Sequence, residues 1–177
     1  LGEEIKQRTV VVNGLSKSHS MTGWRIGFSA GPADITKAMT NIQSQSTSNP
    51  NSIAQMAAIE ALRGPQDFTG TMVSEFNKRR EFLVSELNRI PGISCLKPTG
   101  AFYAFPNTYG IYGRSANGKI IASSSDLAVY LLDDAHVAVV PGSAFGDDGF
   151  VRLSYATSIE NIGKAVIRIR EAVNRLK

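Results

Sequence analysis

Lys17 and Arg25 are the two side chains around which this sequence offers the most specific chemistry. They lie eight positions apart in Asn13-Gly14-Leu15-Ser16-Lys17-Ser18-His19-Ser20-Met21-Thr22-Gly23-Trp24-Arg25-Ile26-Gly27. A lysine amine becomes nucleophilic when burial or nearby positive charge lowers its pKa, and it can then condense with a carbonyl to form a Schiff base. The residues beside Lys17 are small and uncharged, which suits a buried amine. An arginine presents a planar fork of donors that can hold a phosphate through two parallel hydrogen bonds. On these residues alone other readings stay open. A lone lysine in a loop is ordinarily solvated, and Arg25 could equally pair with a structural carboxylate.

A ligand that needs both groups is pyridoxal phosphate, whose aldehyde takes an amine and whose phosphate takes a cation. The elements around the pair suit that task. Thr9-Val10-Val11-Val12 is β-branched and reads as a buried strand, and Ile26 to Ala30 reads as a second strand, ended by Gly31-Pro32. Residues 14–23 between them are too rich in Gly and Ser for regular structure. A helix is expected from Asp34 to about Gln45, with Ile35, Ala38, Met39 and Ile42 on one side. The polar run from Ser44 to Asn51 reads as a loop, and Ser52 as the cap of an alanine-rich, closely packed helix reaching about Leu62. After Gly64-Pro65, one long helix is expected from Asp67 to about Ile90. Its apolar stripe is Met72, Phe76, Leu83, Leu87 and Ile90, and Pro91-Gly92 stops it.

The texture changes beyond Gly92. Ile93 to Leu96 and Ala101 to Phe105 read as short strands, and residues 106–124 as a mobile Gly/Ser/Asn-rich excursion. A helix at 126–134, a strand at 137–140, a loop at 143–149 and a strand at 150–154 follow. Thr157-Ser158-Ile159-Glu160 has the form of a capping box. It opens a helix with Ile162, Ala165, Val166, Ile169, Val173 and Leu176 on one face. The expected organisation is therefore the end of a larger domain bearing Lys17 over 1–66, a long inter-domain helix over 67–91, and a small C-terminal α/β domain over 92–177. The fold class is α/β, with an α+β small domain.

Composition removes several functional classes. The 177 residues are 42% hydrophobic and 19% charged, with a net charge of +4. No apolar run is long enough to span a bilayer, and residues 1–4 do not have the form of a signal peptide. A cytoplasmic location is expected. The single cysteine, Cys95, excludes an internal disulfide framework and a cysteine-based zinc site, and its apolar context suits a small buried side chain. No metal is expected. Lys78-Arg79-Arg80 is the one basic cluster; it falls on a helix and reads as a solvated face, not a nucleic-acid patch.

The whole segment is more specific than the pair within it. Gly14-Leu15-Ser16-Lys17, Ser20-Met21, Gly23 and Arg25-Ile26-Gly27 resemble the cofactor-attachment signature of class I pyridoxal-phosphate aminotransferases of the aspartate aminotransferase family. The likeness continues through Gln45-Ser46-Thr47-Ser48, Ser52-Ile53-Ala54-Gln55, Gly100-Ala101-Phe102-Tyr103, Val140 to Gly146 and Arg152-Leu153-Ser154-Tyr155-Ala156. It covers nearly the whole chain and is closest in texture to the bacterial and plastid-type branch.

The resemblance implies the C-terminal part of a fold-type I pyridoxal-phosphate transferase. In it Lys17 would carry the Schiff base and then shuttle a proton from the substrate α-carbon. Arg25 would bind the cofactor phosphate, Arg152 would clamp the substrate α-carboxylate, and Phe102 would line that carboxylate pocket. Read from its own strand, Arg152 suits either an anion or an internal salt bridge. The loop Thr47-Ser48-Asn49-Pro50 would reach a neighbouring subunit's site in a homodimer. Some family members have a phosphate-binding serine where this chain has Gly14, which leaves one side-chain donor fewer unless a backbone N–H serves. His19 stands where an aromatic is more usual and reads as a packed or solvent-edge side chain.

The groups the family places around the pyridine ring would come from an earlier part of a longer chain, so this chain is expected to be a fragment, inactive alone. The implied reaction is transamination between an amino acid, aspartate or glutamate, and a 2-oxo acid, with prephenate amination as an alternative within the family. A further alternative is the aminotransferase-like sensing domain of a transcription regulator, which residues upstream of Leu1 would reveal.

Overall fold

The computed structural model describes residues 2–177. The chain divides into two compact units, Leu1–Thr71 and Met72–Lys177.

The first unit begins with a four-residue helix, α1 (Glu3–Lys6), followed by the antiparallel pair β1 (Val11–Gly14) and β2 (Gly27–Ala30). The register runs Val11↔Ala30, Val12↔Ser29, Asn13↔Phe28 and Gly14↔Gly27. The strand expected at residues 9–12 thus starts two residues later and is not buried: Val12 is 76% exposed. Its β-branched residues set the strand, but nothing in this unit covers them.

Two helices follow, α2 (Ala33–Ser46) and α3 (Ser52–Arg63). Ser44, Gln45 and Ser46 belong to α2 and not to the polar loop. Ser44 and Ser46 hydroxyls donate to backbone carbonyls one turn back, which lets these residues stay helical. Asn51, not Ser52, caps α3: its Oδ1 accepts the N–H groups of Ile53 and Ala54 at 2.9 and 3.2 Å. The alanine-rich face of α3 does pack closely, with Ala54 buried and Ala57, Ala58 and Ala61 against Leu15, Met21 and Ile26. The third helix of this stretch, α4 (Asp67–Leu87), ends three residues short of the expected Ile90.

The second unit is built on a small antiparallel sheet. Strand β3 (Tyr103–Ala104) is followed by a hairpin of β4 (Ser115–Ala116) and β5 (Lys119–Ile120), then helix α5 (Ser124–Ala135), β6 (Val140–Pro141), β7 (Val151–Ser154) and helix α6 (Ile159–Arg175). The sheet order is β3-β7-β6, with β7 central. Its core comprises Leu83, Leu87 and Ile90, Val151 and Leu153, Leu127 and Leu131, and Ile162, Val166, Ile169 and Val173. The last four lie on the face of α6 expected from their spacing. The cap of α6 is Ser158, one residue later than the expected Thr157; its Oγ accepts from Asn161 N at 3.2 Å.

Other expectations need correcting here. Ile93–Leu96 forms no strand, only one bridge between Ser94 and Asn107, and Leu96 is 91% exposed. Residues 106–124 are tied into the core. Ile111, Ile121 and Thr108 are buried, and Thr108 donates to Gly149 O from both its backbone N–H and its hydroxyl. Three apolar or hydroxyl anchors among many small polar residues suffice to fix such a segment. Arg80 is not a solvated side chain. It retains 18% of its side-chain exposure and donates to Pro98 O at 2.9 Å. Its neighbour Lys78, paired with Glu75, stays exposed, while Arg79, over the Phe76 ring, is half-buried.

Candidate active site

The connection from β1 to β2 carries Lys17 and Arg25, and it is anchored along its length. Leu15, Met21 and Ile26 are all buried, at its start, middle and end. Between the first two anchors the chain makes a tight turn. Leu15 O accepts from His19 N and Met21 N at 3.2 and 3.3 Å, and Lys17 O accepts from Ser20 N at 3.3 Å. Thr22 Oγ1 donates to Ser16 O at 2.9 Å, tying the turn to the 3-10 segment Thr22–Trp24. Ser20 and Arg25 both have φ of 52°. A left-handed backbone costs a non-glycine residue about 1 kcal/mol or more, so it persists only where surrounding bonds over-determine it.

Lys17 sits inside this turn with its side chain exposed in the described chain. That corrects the expectation of a buried amine: the turn gives its buried positions to Leu15 and Met21 on either side. Arg25 is exposed as well, and its Nη1 donates to Thr22 O at 3.2 Å. No carboxylate pairs with it among the described residues, so the structural-carboxylate reading finds no partner here. His19 is packed, with its ring 5.4 Å from Phe68 and Nδ1 2.8 Å from Ser18 Oγ. The Gly14 N–H is already engaged by Asn13 Oδ1 at 2.7 Å.

This donor set fits pyridoxal phosphate in kind. A primary amine and a guanidinium that donates to the Thr22 carbonyl stand on one anchored connection, and the guanidinium keeps further N–H donors for an anion. Lys17 would hold the aldehyde end and Arg25 the phosphate.

The second unit places Arg152 in β7, the central strand. Val151 and Leu153 point into the core at 2% and 8% exposure, so Arg152 and Ser154 occupy the other face. Its guanidinium carbon lies 4.4 Å from the Tyr103 ring centre and 4.5 Å from that of Phe145. Among the described residues no carboxylate forms an ion pair with it. The internal salt bridge that its sequence context also allowed is therefore not what this strand provides.

Phe102 is half-buried beside Phe76, at 6.2 Å, and Tyr103, at 4.5 Å between ring centres. Tyr103 and Phe145 were not read as site residues in the sequence. The signal for Tyr103 was its place within the strand expected from Ala101 to Phe105. Thr47-Ser48-Asn49 is exposed, and Pro50 O accepts from Asn49 Nδ2 and Gln55 Nε2, each at 2.8 Å. Among the described residues no group of histidine, cysteine and carboxylate side chains is arranged to hold a metal ion, and no helix is long and apolar enough to cross a membrane.

Known proteins resemble this chain along nearly its whole length. The sequence model of the family described as aminotransferase class I and II matches residues 1–169. A probable aspartate/prephenate aminotransferase of Rickettsia felis is 53% identical over 173 residues, 97% of this chain and 42% of the relative. The aspartate/prephenate aminotransferase of Nitrosomonas europaea is 54% identical over 168 residues, 94% of this chain and 42% of the relative. The crystal structure of the aspartate aminotransferase from Rhizobium meliloti matches with a TM-score of 0.93 at 49% identity, over 99% of this chain and 44% of that one. The chain thus spans less than half the length of the relatives it matches.

Proposed function

The chain belongs to the class I and II aminotransferases, its mixed helix-and-strand structure is part of aminotransferase fold type I, and on that premise we propose that the whole protein transfers an amino group from aspartate or glutamate to a 2-oxo acid with pyridoxal phosphate. The observation that carries this reading is the anchored connection holding an exposed Lys17 and an Arg25 that no carboxylate pairs with among the described residues, within a chain matched by the family over residues 1–169.

When bound, pyridoxal phosphate supplies an electrophilic aldehyde and a conjugated ring that draws electrons from the bond being broken. The protein's residues do the rest. Arg25 holds the phosphate through charge-assisted hydrogen bonds. Lys17 Nζ would hold the aldehyde end, and as a free base its amine would accept the proton that leaves the substrate α-carbon and pass it on. Arg152 orients the substrate through its α-carboxylate, and Phe102 lines the same pocket. The exposed Thr47–Asn49 backbone, with Ile53 and Met56 beside it at 69% and 67% exposure, suits a subunit contact in a homodimer. Residues 1–66 are then the end of the large cofactor-binding domain, 67–91 the inter-domain stretch that carries α4, and 92–177 the small domain.

The test is an amino-transfer assay on the whole protein loaded with pyridoxal phosphate. Oxaloacetate should form from aspartate and 2-oxoglutarate, and Lys17→Ala should lower kcat by about 10³-fold or more. Wild-type protein that binds the cofactor but transfers no amino group would overturn the reading. A second reading, prephenate as the amino acceptor, is favoured by the names of the Rickettsia and Nitrosomonas relatives. Replacing 2-oxoglutarate by prephenate in the same assay separates the two.

A further inference from the structure

Arg152 has a side chain of four rotatable bonds, and an unrestrained guanidinium would lose much freedom on meeting a carboxylate. Here it is already held. We propose that Tyr103 and Phe145 are positioning residues that fix the Arg152 guanidinium against their rings, leaving its in-plane N–H groups directed at the substrate α-carboxylate. This rests on the reading of Arg152 as the carboxylate clamp.

The sheet register brings one ring into place. Tyr103 pairs with Ser154 across β3 and β7. Paired residues share a face, and Ser154 shares its face with Arg152 two residues earlier, so Tyr103 is the diagonal neighbour of Arg152. Phe102 precedes β3, and its ring lies 4.5 Å from that of Tyr103 and 6.2 Å from that of Phe76.

The other ring arrives by a tight turn. On the opposite edge of β7, Val140 pairs with Arg152, and the chain then turns through the 3-10 segment Gly142–Phe145. Gly142 N donates to Phe150 O at 2.8 Å, and a Cβ at this glycine would lie 2.3 Å from both Asp147 O and Phe150 O. Only glycine fits there. Gly146, at φ +88°, ends the turn. The turn is pinned to the start of α5 through Ser124. Its Oγ accepts from Ser143 N at 3.2 Å and donates to Asp148 Oδ1, and its N–H donates to the same Oδ1 at 3.0 Å. Phe145 itself leans edge-on against Phe105, at 6.0 Å, and Phe105 stacks on Phe150, at 4.9 Å. Phe145 is nevertheless 48% exposed, so its core-packing role is small compared with its contact to Arg152.

A guanidinium over aromatic faces is attracted by the ring quadrupoles, while its five N–H donors lie in its own plane. Ring contact and carboxylate binding therefore use different parts of the same group and do not compete.

The experiment is steady-state kinetics on the cofactor-loaded whole protein carrying Phe145→Leu, Tyr103→Leu, Phe145→Trp or Arg152→Lys, with thermal melting of each. Phe145→Leu and Tyr103→Leu should each raise the KM for the amino-acid substrate about tenfold while kcat falls by less than about threefold. Phe145→Trp should keep the wild-type KM, because it retains an aromatic face. If Arg152→Lys raises KM and both leucine variants do not, the positioning role is wrong and the clamp reading stands. If Arg152→Lys leaves KM unchanged, the clamp reading fails and takes this inference with it. A KM rise in Phe145→Leu that Phe145→Trp fails to avoid would also overturn it.

Discussion

Gly14 and Gly27 face each other on the last rung of the β1–β2 ladder, so the chain leaves towards Lys17 and returns after Arg25 at one point. The two glycines are not equivalent. A Cβ at Gly27 would lie 2.9 Å from the Asn13 carbonyl oxygen, a backbone atom that cannot swing aside, whereas a Cβ at Gly14 would meet nothing nearer than 3.8 Å. Gly27→Ala should therefore destabilise by about 1–3 kcal/mol and weaken pyridoxal phosphate binding, while Gly14→Ala stays within about 0.5 kcal/mol of wild type. Chemical denaturation and a cofactor titration on both variants check this.

Arg25 combines a proposed binding role with a left-handed backbone. Arg25→Gly should relieve the φ of 52°, stabilising by up to about 1 kcal/mol, yet lower affinity for pyridoxal phosphate by about 10- to 100-fold. Affinity for pyridoxal, which has no phosphate, should change little. Parallel titrations with the two compounds separate loss of a phosphate ligand from collapse of the turn.

The cap of α3 offers a clean test of local structure. Asn51→Ala removes an acceptor for two N–H groups and should cost about 1 kcal/mol. Ser52→Ala should cost far less, since Ser52 is already inside the helix. Urea unfolding midpoints of the two variants decide between the caps.

Burial pushes the Cys95 thiol above its ordinary value, partly offset by a backbone hydrogen bond from Phe105. The folded state thus holds its proton more tightly than the unfolded state. The resulting stability is fully present below the unfolded thiol's pKa of about 8.5 and is lost as pH rises through the folded value. Relative to Cys95→Ala, the wild-type protein should lose stability as pH rises above about 8.5. A difference between the two that does not change with pH would contradict the assignment. Native Cys95 should also resist thiol reagents until the protein is denatured.

Much of this architecture could be read from the residues. The stripes of α4 and α6 follow the helical period, and the break at Gly64-Pro65 holds because proline cannot continue a helix, whereas α4 stops at Leu87, before Pro91-Gly92 is reached. Misreadings came where tertiary bonds chose between near-equal local options. Asn51 and Ser52 are both good caps, as are Thr157 and Ser158, and only the observed hydrogen bonds separate them. Ile93–Leu96 has strand composition, but Leu96 turns outward and a single bridge is all that forms. The 106–124 segment looked mobile because its few anchors, Thr108, Ile111 and Ile121, are spread among small polar residues. At the site, the types and spacing of Lys17 and Arg25 were legible, but the exposure of Lys17 was not, because the residues that would bury it are not set by its own turn. Tyr103 and Phe145 escaped notice because their contact with Arg152 depends on sheet register and on the Gly142 turn, neither of which spacing reveals.

The central claim is that Lys17 is the residue to which pyridoxal phosphate attaches. Borohydride reduction of the cofactor-loaded whole protein, followed by proteolysis and mass spectrometry, tests it most directly. The account predicts that the phosphopyridoxyl group is found on the peptide containing Lys17, and that Lys17→Ala yields no modified peptide at equal cofactor concentration. Stoichiometric modification of another lysine, with Lys17 left free, would contradict it.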